Sequence, residues 1–106
     1  MLFLIPVLAY AGKEDVVTDS FKVKGLCERC KARIEDAASI RGVKYADWNV
    51  YTNMLIVKYD TTKTSPKVIL TAIAHAGHDN EMATATEDEY GRLPDCCRYR
   101  SMQKKH

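Results

Sequence analysis

The sequence predicts an α+β fold, a ferredoxin-like β-α-β-β-α-β sandwich with an antiparallel sheet, followed by a C-terminal tail that carries cysteines. Three observations predict it. Apolar residues alternate at strand period near the start and twice more in the middle of the chain. Between and after those stretches they recur at spacings of three and four, the period of an amphipathic helix. Turn and cap residues separate the segments in the order that the split arrangement requires.

Each element follows from its residues. Val16 to Lys24 alternates through Phe21 and Val23 and ends at Gly25, which suits a half-buried strand. From Glu28 the pattern turns helical, with Cys30, Ile34, Ala37 and Ala38 on one stripe, and Gly42 closes the connection. Val43 to Tyr59 holds two strand-like runs around a hairpin turn at Tyr51-Thr52-Asn53. Ala46, Trp48 and Val50 share a face in the first run, and Leu55, Val57 and Tyr59 in the second, so one sheet face is buried and one is wet. Ser65-Pro66 reads as an N-cap followed by proline at the first helical position, with Val68, Ile69, Ala72, Ile73 and Ala76 as the apolar stripe and Gly77 as the terminator. A weak last strand is expected over His78 to Thr86, then a short helical turn from Glu87 to Gly91 and a tail opening at Leu93-Pro94.

The chain of 106 residues has room for one modest core, and 46% hydrophobic with 28% charged residues excludes a disordered composition. A net charge of +2 is too small to argue for nucleic acid. The basic end, Arg98 to His106, reads as a solvated tail, with a membrane or partner contact as the alternative. Residues 1–11 are uncharged and almost wholly apolar, too short to span a bilayer. Ala9-Tyr10-Ala11 has the small-x-small form of a cleavage site, although no positive n-region precedes the apolar run. The expectation is a signal segment over 1–11 with cleavage before Gly12 and an exported, periplasmic location. The alternatives are an apolar segment belonging to the domain and a cytoplasmic protein.

The chemistry is carried by Gly25-Leu-Cys27-Glu-Arg-Cys30, a Cys-x-x-Cys pair between the first strand and the first helix. Thiols at a helix N-terminus meet unpaired N–H groups and the positive end of the macrodipole, so they ionise more easily than free cysteine. Two thiolates make a soft, low-coordinate site that suits Cu(I) or Hg(II), whereas zinc normally wants four ligands. The competing readings are a reduced inert pair and a disulfide. Cys96 and Cys97 are adjacent, and consecutive Cα atoms only about 3.8 Å apart sit below the usual disulfide range. They are expected to bind metal, to pair with another cysteine, or to stay free. If the tail folds over the loop, their thiols complete a three- or four-sulfur site with Cys27 and Cys30.

From about Thr18 to Thr86 the residues resemble the heavy-metal-associated domain, the module of copper chaperones, metal-pumping ATPases and a periplasmic mercury-scavenging protein. The matches are Gly25-Leu-Cys27-Glu-Arg-Cys30, Ile34-Glu35, Gly42-Val43, Val50, Leu55-Ile-Val57-x-Tyr59-Asp60 and Ile73-x-x-Ala76-Gly77-His78. The family usually writes Gly-Met-x-Cys-x-x-Cys, whereas here Leu26 stands directly before Cys27, one residue shorter and without the methionine. The resemblance implies a heavy-metal-associated domain over 16–86, with 87–106 as a C-terminal tail bearing the Cys-Cys pair. It implies a non-enzymatic carrier with Cys27 and Cys30 as metal ligands and Cu(I) as the ion, with Hg(II) and Zn(II) as alternatives. His78, Cys96 and Cys97 are additional candidate ligands. The implied partner is a heavy-metal transporter or the metal-binding domain of a P-type ATPase. No nucleic acid or membrane span is expected, and the chain reads as a monomer, with a metal-bridged dimer as the alternative.

Two rival functions use the same cysteines. A thioredoxin-like thiol–disulfide oxidoreductase also places Cys-x-x-Cys at a helix start, but it needs a βα unit ahead of the motif strand and a cis-proline facing the pair. Pro66 sits instead at a helix start and Pro94 in the tail. A small structural zinc domain would close four cysteines around the ion and depend on it for folding. Glu28 and Arg29 lie between the ligands as candidates for partner recognition, and Lys31 and Arg33 could offset the charge of a bis-thiolate. Met54, Met82 and Met102 are scattered and read as packing or exposed residues.

Overall fold

The computed structural model describes residues 15–101; the expected signal segment lies outside them. Strand β1 (Val16–Lys22) leads to helix α1 (Glu28–Ala38), strands β2 (Val43–Trp48) and β3 (Met54–Asp60), and helix α2 (Pro66–His75). A five-residue helix α3 (Glu87–Gly91) and two 3-10 turns (Asp95–Cys97 and Tyr99–Ser101) follow among the described residues. The sheet has the order β1-β3-β2 and is antiparallel throughout, with Phe21 opposite Leu55 and Trp48 opposite Leu55 on its other side. Phe21, Trp48, Leu55, Val57 and Tyr59 point from the sheet into the core, where Ile34 and Ala38 of α1 and Ile69, Leu70 and Ile73 of α2 meet them. Among the described residues no helix is long and apolar enough to cross a membrane.

The caps fall where local chemistry puts them. The Ser65 hydroxyl accepts the Val68 N–H, and Pro66 stands at the start of α2. At the other end Gly77 takes φ +106°, with its N–H on Ala74 and the His78 N–H on Ile73, a Schellman closure that orients His78 back toward the sheet. Asn53 closes the β2–β3 hairpin with φ 65°. Thr86 and Glu89 form a capping box on α3.

Three expectations are corrected, two in the domain and one in the tail. The fourth strand over His78–Thr86 does not form. It is reduced to one antiparallel bridge between Val23 and Asn80, with the Lys24 N–H donated to the Asp79 carbonyl. The next residues curl because side chains take their N–H groups. Asn80 Oδ1 accepts from Met82 and Ala83, and Asp79 Oδ1 from Ala85, which withdraws those donors from a ladder. The stripe of α2 is also rotated. Val68 is 53% exposed, while Leu70 and Ala74 are buried beside Ile69 and Ile73.

The tail is not a solvated extension over its described length. Leu93, Cys97 and Tyr99 belong to the core cluster. The Leu93 side chain packs on Gly77 so closely that a Cβ there would stand 2.9 Å from its Cγ. Arg98 and Arg100, expected in solvent, are held. Arg98 donates to the carbonyls of Leu93 and Gly91, and Arg100 grips Asp79 with two nitrogens, donates to the Ala85 carbonyl and lies over the Tyr90 ring.

Candidate metal centre

The loop from Val23 to Cys27 is shaped by the tryptophan beneath it. Trp48 Nε1 donates to the Val23 carbonyl, and its ring lies against Gly25, where a Cβ would come within 2.9 Å of it. Asn53 Nδ2 donates to the carbonyls of Val23 and Gly25. Leu26, directly before Cys27, is buried. With the backbone pinned on both sides, Cys27 becomes the N-cap of α1 and Cys30 lies in its first turn.

The two thiols are 3.7 Å apart and differ in setting. Cys30 is fully buried, and its sulfur accepts the Leu26 N–H at 3.3 Å. Cys27 is half-buried at the rim, where its thiol donates to the Cys96 carbonyl at 3.4 Å. Burial pushes the Cys27 thiol up, but the N–H groups of Cys30 and Arg29 and the neighbouring thiols outweigh it and hold Cys27 below the ordinary thiol value. Burial dominates at Cys30 and pushes its thiol up. The pair therefore offers one accessible thiol that ionises readily and one shielded thiol behind it.

The tail brings the other two cysteines to the same place. The 3-10 turn Asp95–Cys97 packs on α1, and Cys27, Cys96 and Cys97 place their sulfurs within 4.8 Å of one another. Cys97 is fully buried, and Cys30, 3.7 Å from Cys27, is not part of that three-sulfur cluster. All four cysteines are free.

His78 is placed differently from the other candidate ligands. Its Nδ1 is 2.7 Å from the Lys24 carbonyl, so that nitrogen carries the proton and donates, and the ring stacks on Tyr99. Nε2 is buried without a hydrogen-bond partner. Burial pushes the imidazole down to about 4 against the opposing pull of the Lys24 carbonyl, so His78 is neutral. His78 is not among the groups whose ligand atoms cluster with Cys27. His75, by contrast, is on the surface, paired with Glu89.

Lys31 and Arg33 do not turn to the thiols. Lys31 Nζ is held by Glu35, Asp47 and the Trp48 carbonyl, and Arg33 donates to the Ala76 carbonyl at the end of α2. Glu28 and Arg29 are exposed beside the pair, as expected. Met82 is half-exposed, and Met102 lies outside the described residues. The residues that sequence reasoning missed are Tyr99 and Arg100. The Tyr99 hydroxyl donates to the Gly77 carbonyl at 2.6 Å and accepts the Asp79 N–H at 2.7 Å. The signal that could have found them is the pair of tyrosines, Tyr90 and Tyr99, flanking the Cys-Cys turn; in the fold they pack edge to face.

Comparison with known proteins agrees with this geometry. No curated protein sequence matches the chain. Among solved structures, the protein is similar to a CopZ metallochaperone at 32% identity, covering 60% of this chain and 98% of that one with a TM-score of 0.58. It is similar to oxidized MerP from Ralstonia metallidurans at 28% identity, covering 63% of this chain and 96% of that one with a TM-score of 0.60. A copper form of a CopA variant from Bacillus subtilis matches at 29% identity, over 63% of this chain and 91% of that one, with a TM-score of 0.55. The model of the heavy-metal-associated domain matches residues 20–79. The chain, with its antiparallel sheet, its two packed helices and its cysteine turn at the head of the first helix, belongs to the heavy-metal-associated domain family.

Proposed function

We propose that this protein binds one soft heavy-metal ion through Cys27 and Cys30 and passes it, by thiol-for-thiol ligand exchange, to a metal transporter. The carrying observation is the asymmetry of the pair. A rim thiol held below the ordinary value stands 3.7 Å from a buried partner, so an ion can be captured at an accessible sulfur and retained by a shielded one. Cu(I) is the favoured ion, because a CopA relative is described as a copper form and because thiolates select soft ions. Hg(II) and Zn(II) are the alternatives. The exposed Glu28 and Arg29 beside the site form the contact surface for a thiol-bearing domain, such as that of a P-type ATPase, and the apolar segment 1–11 supports an exported, periplasmic carrier.

The chain acts by binding and handing on rather than by turnover in this reading. A second reading, a thiol–disulfide oxidoreductase, draws on the same asymmetry, since an attacking and a resolving thiol also differ in this sense.

Anaerobic titration of the reduced protein with Cu(I), Hg(II) and Zn(II), followed by native mass spectrometry, tests the proposal. One tightly held soft ion per chain is expected, lost in the Cys27→Ser, Cys30→Ser double variant. A reduced wild type that holds none, or a double variant that binds as the wild type does, overturns it.

A further inference from the structure

The second thiol pair goes beyond the Cys-x-x-Cys site. We propose that Cys96 and Cys97 are themselves metal ligands, which complete with Cys27 and Cys30 a closed site of three or four sulfurs for a thiophilic ion. The inference rests on the reading that Cys27 and Cys30 bind metal.

The spacing of the sulfurs carries it. For metal–sulfur bonds of about 2.3 Å, sulfurs stand roughly 3.8 Å apart around a tetrahedral ion, roughly 4.0 Å apart around a trigonal one and roughly 4.6 Å apart across a linear one. Cys27 and Cys30 are 3.7 Å apart, and Cys96 and Cys97 are 4.0 Å apart. Both spacings are edges of a three- or four-coordinate site. A linear ion between Cys27 and Cys30 would need them to spread by nearly an ångström in a loop pinned by Trp48 and Asn53. The two pairs meet at Cys27, whose sulfur lies within 4.8 Å of those of Cys96 and Cys97 and 3.7 Å from that of Cys30.

The placement of the turn supports the same conclusion. Leu93, Tyr99 and Arg100 anchor the segment on both sides of the cysteines, against Gly77 and Asp79. Two adjacent side chains rarely serve one small site, yet this anchored 3-10 turn brings both thiols to the head of α1. When an ion binds, each ligating thiol gives its proton to solvent and forms a metal–sulfur bond, with no change of oxidation state. Cys30 and Cys97 form the inner edge of the site and the half-buried Cys27 and Cys96 the outer one, where a partner's thiolate would enter.

Cd(II) is a suitable probe, because its thiolate charge-transfer absorbance grows with the number of sulfurs bound. The full reduced chain is titrated anaerobically beside Cys96→Ser, Cys96→Ser with Cys97→Ser, and Cys27→Ser with Cys30→Ser, in competition with a chelator. Circular dichroism of each apo form checks the fold. The absorbance per bound ion is expected to fall by a quarter to a third in the single tail variant. In the double tail variant it falls to two-sulfur intensity, and affinity falls by roughly tenfold or more. Equal absorbance and affinity in wild type and both tail variants overturn the inference while leaving the Cys27/Cys30 reading intact, provided the loop variant loses binding. A wild type that binds no Cd(II) or Cu(I) overturns both. If the double tail variant fails to fold, the single variant at the half-buried Cys96 decides.

Discussion

The sheet-and-helix body and the C-terminal segment are attached to the same core by different means. In the body, burial is shared among many side chains from three strands and two helices, and an antiparallel ladder binds the strands. From residue 87 onward attachment is concentrated in a few anchors. Leu93 packs on Gly77, Tyr99 bridges Gly77 and Asp79, and Arg100 clamps Asp79. Shared burial gives cooperative stability, whereas a few anchors give a unit that can open while the rest stays folded. The cysteines straddle this divide, one pair on each side, so the proposed four-cysteine site would span the seam between the two parts.

The largest effect that tests the contrast is expected inside the body. Trp48 is fully buried, fills the space under Gly25 and donates to the Val23 carbonyl. Trp48→Ala should cost about 3–5 kcal/mol in urea unfolding and should disorder the thiol loop with the sheet. A stable Trp48→Ala protein with intact metal affinity would show that the loop is not shaped from below.

The body was legible in the sequence and the seam was not, for physical reasons. Period-two alternation at Leu55, Val57 and Tyr59 and period-three-to-four spacing at Cys30 and Ile34 report directly which face is buried. Ser65, Pro66 and Gly77 act within a few residues of themselves, so α2 was legible at both ends. The failures lie where polar side chains take backbone donors or distant partners that apolar spacing does not report. Asp79 and Asn80 spend their oxygens on backbone N–H groups and dissolve the expected fourth strand. Arg100 looks like a solvated charge in sequence because its partner is 21 residues away. The Cys-x-x-Cys pair announces itself by spacing, but nothing local says that Cys96 and Cys97 would reach it, since that depends on how Leu93 and Tyr99 dock.

The next effect in size is a pH dependence at the seam. His78 is buried and neutral, with burial holding its value at about 4 against an ordinary 6.5. A depressed value means that its contribution to stability is complete above about 6.5 and is lost as pH falls through about 4, because the unfolded chain binds the proton first. Over that window the apo protein should lose at most about 3 kcal/mol of unfolding free energy. His78→Gln should flatten the slope. An unchanged slope in that variant would place the dependence on another group and leave the contrast without this link.

The smallest effect is the most informative about the releasable part. Tyr99→Phe keeps the ring that stacks on His78 and meets Tyr90 but removes the hydroxyl that joins the Gly77 carbonyl to the Asp79 N–H. The loss should be about 1–2 kcal/mol, and it falls on the docking of the tail rather than on the sheet. Reaction of the buried Cys97 with a thiol reagent should therefore speed up by roughly tenfold, in line with that free energy, while the global unfolding midpoint moves little. If the midpoint fell as far as it does for a core truncation, with no separate gain in Cys97 reactivity, the tail and the body would be one cooperative unit. An ion held across the seam would then have no lid to lift, and handover would require opening the whole domain. The separate gain in reactivity is what an exchange at the outer thiols, Cys27 and Cys96, needs from the structure.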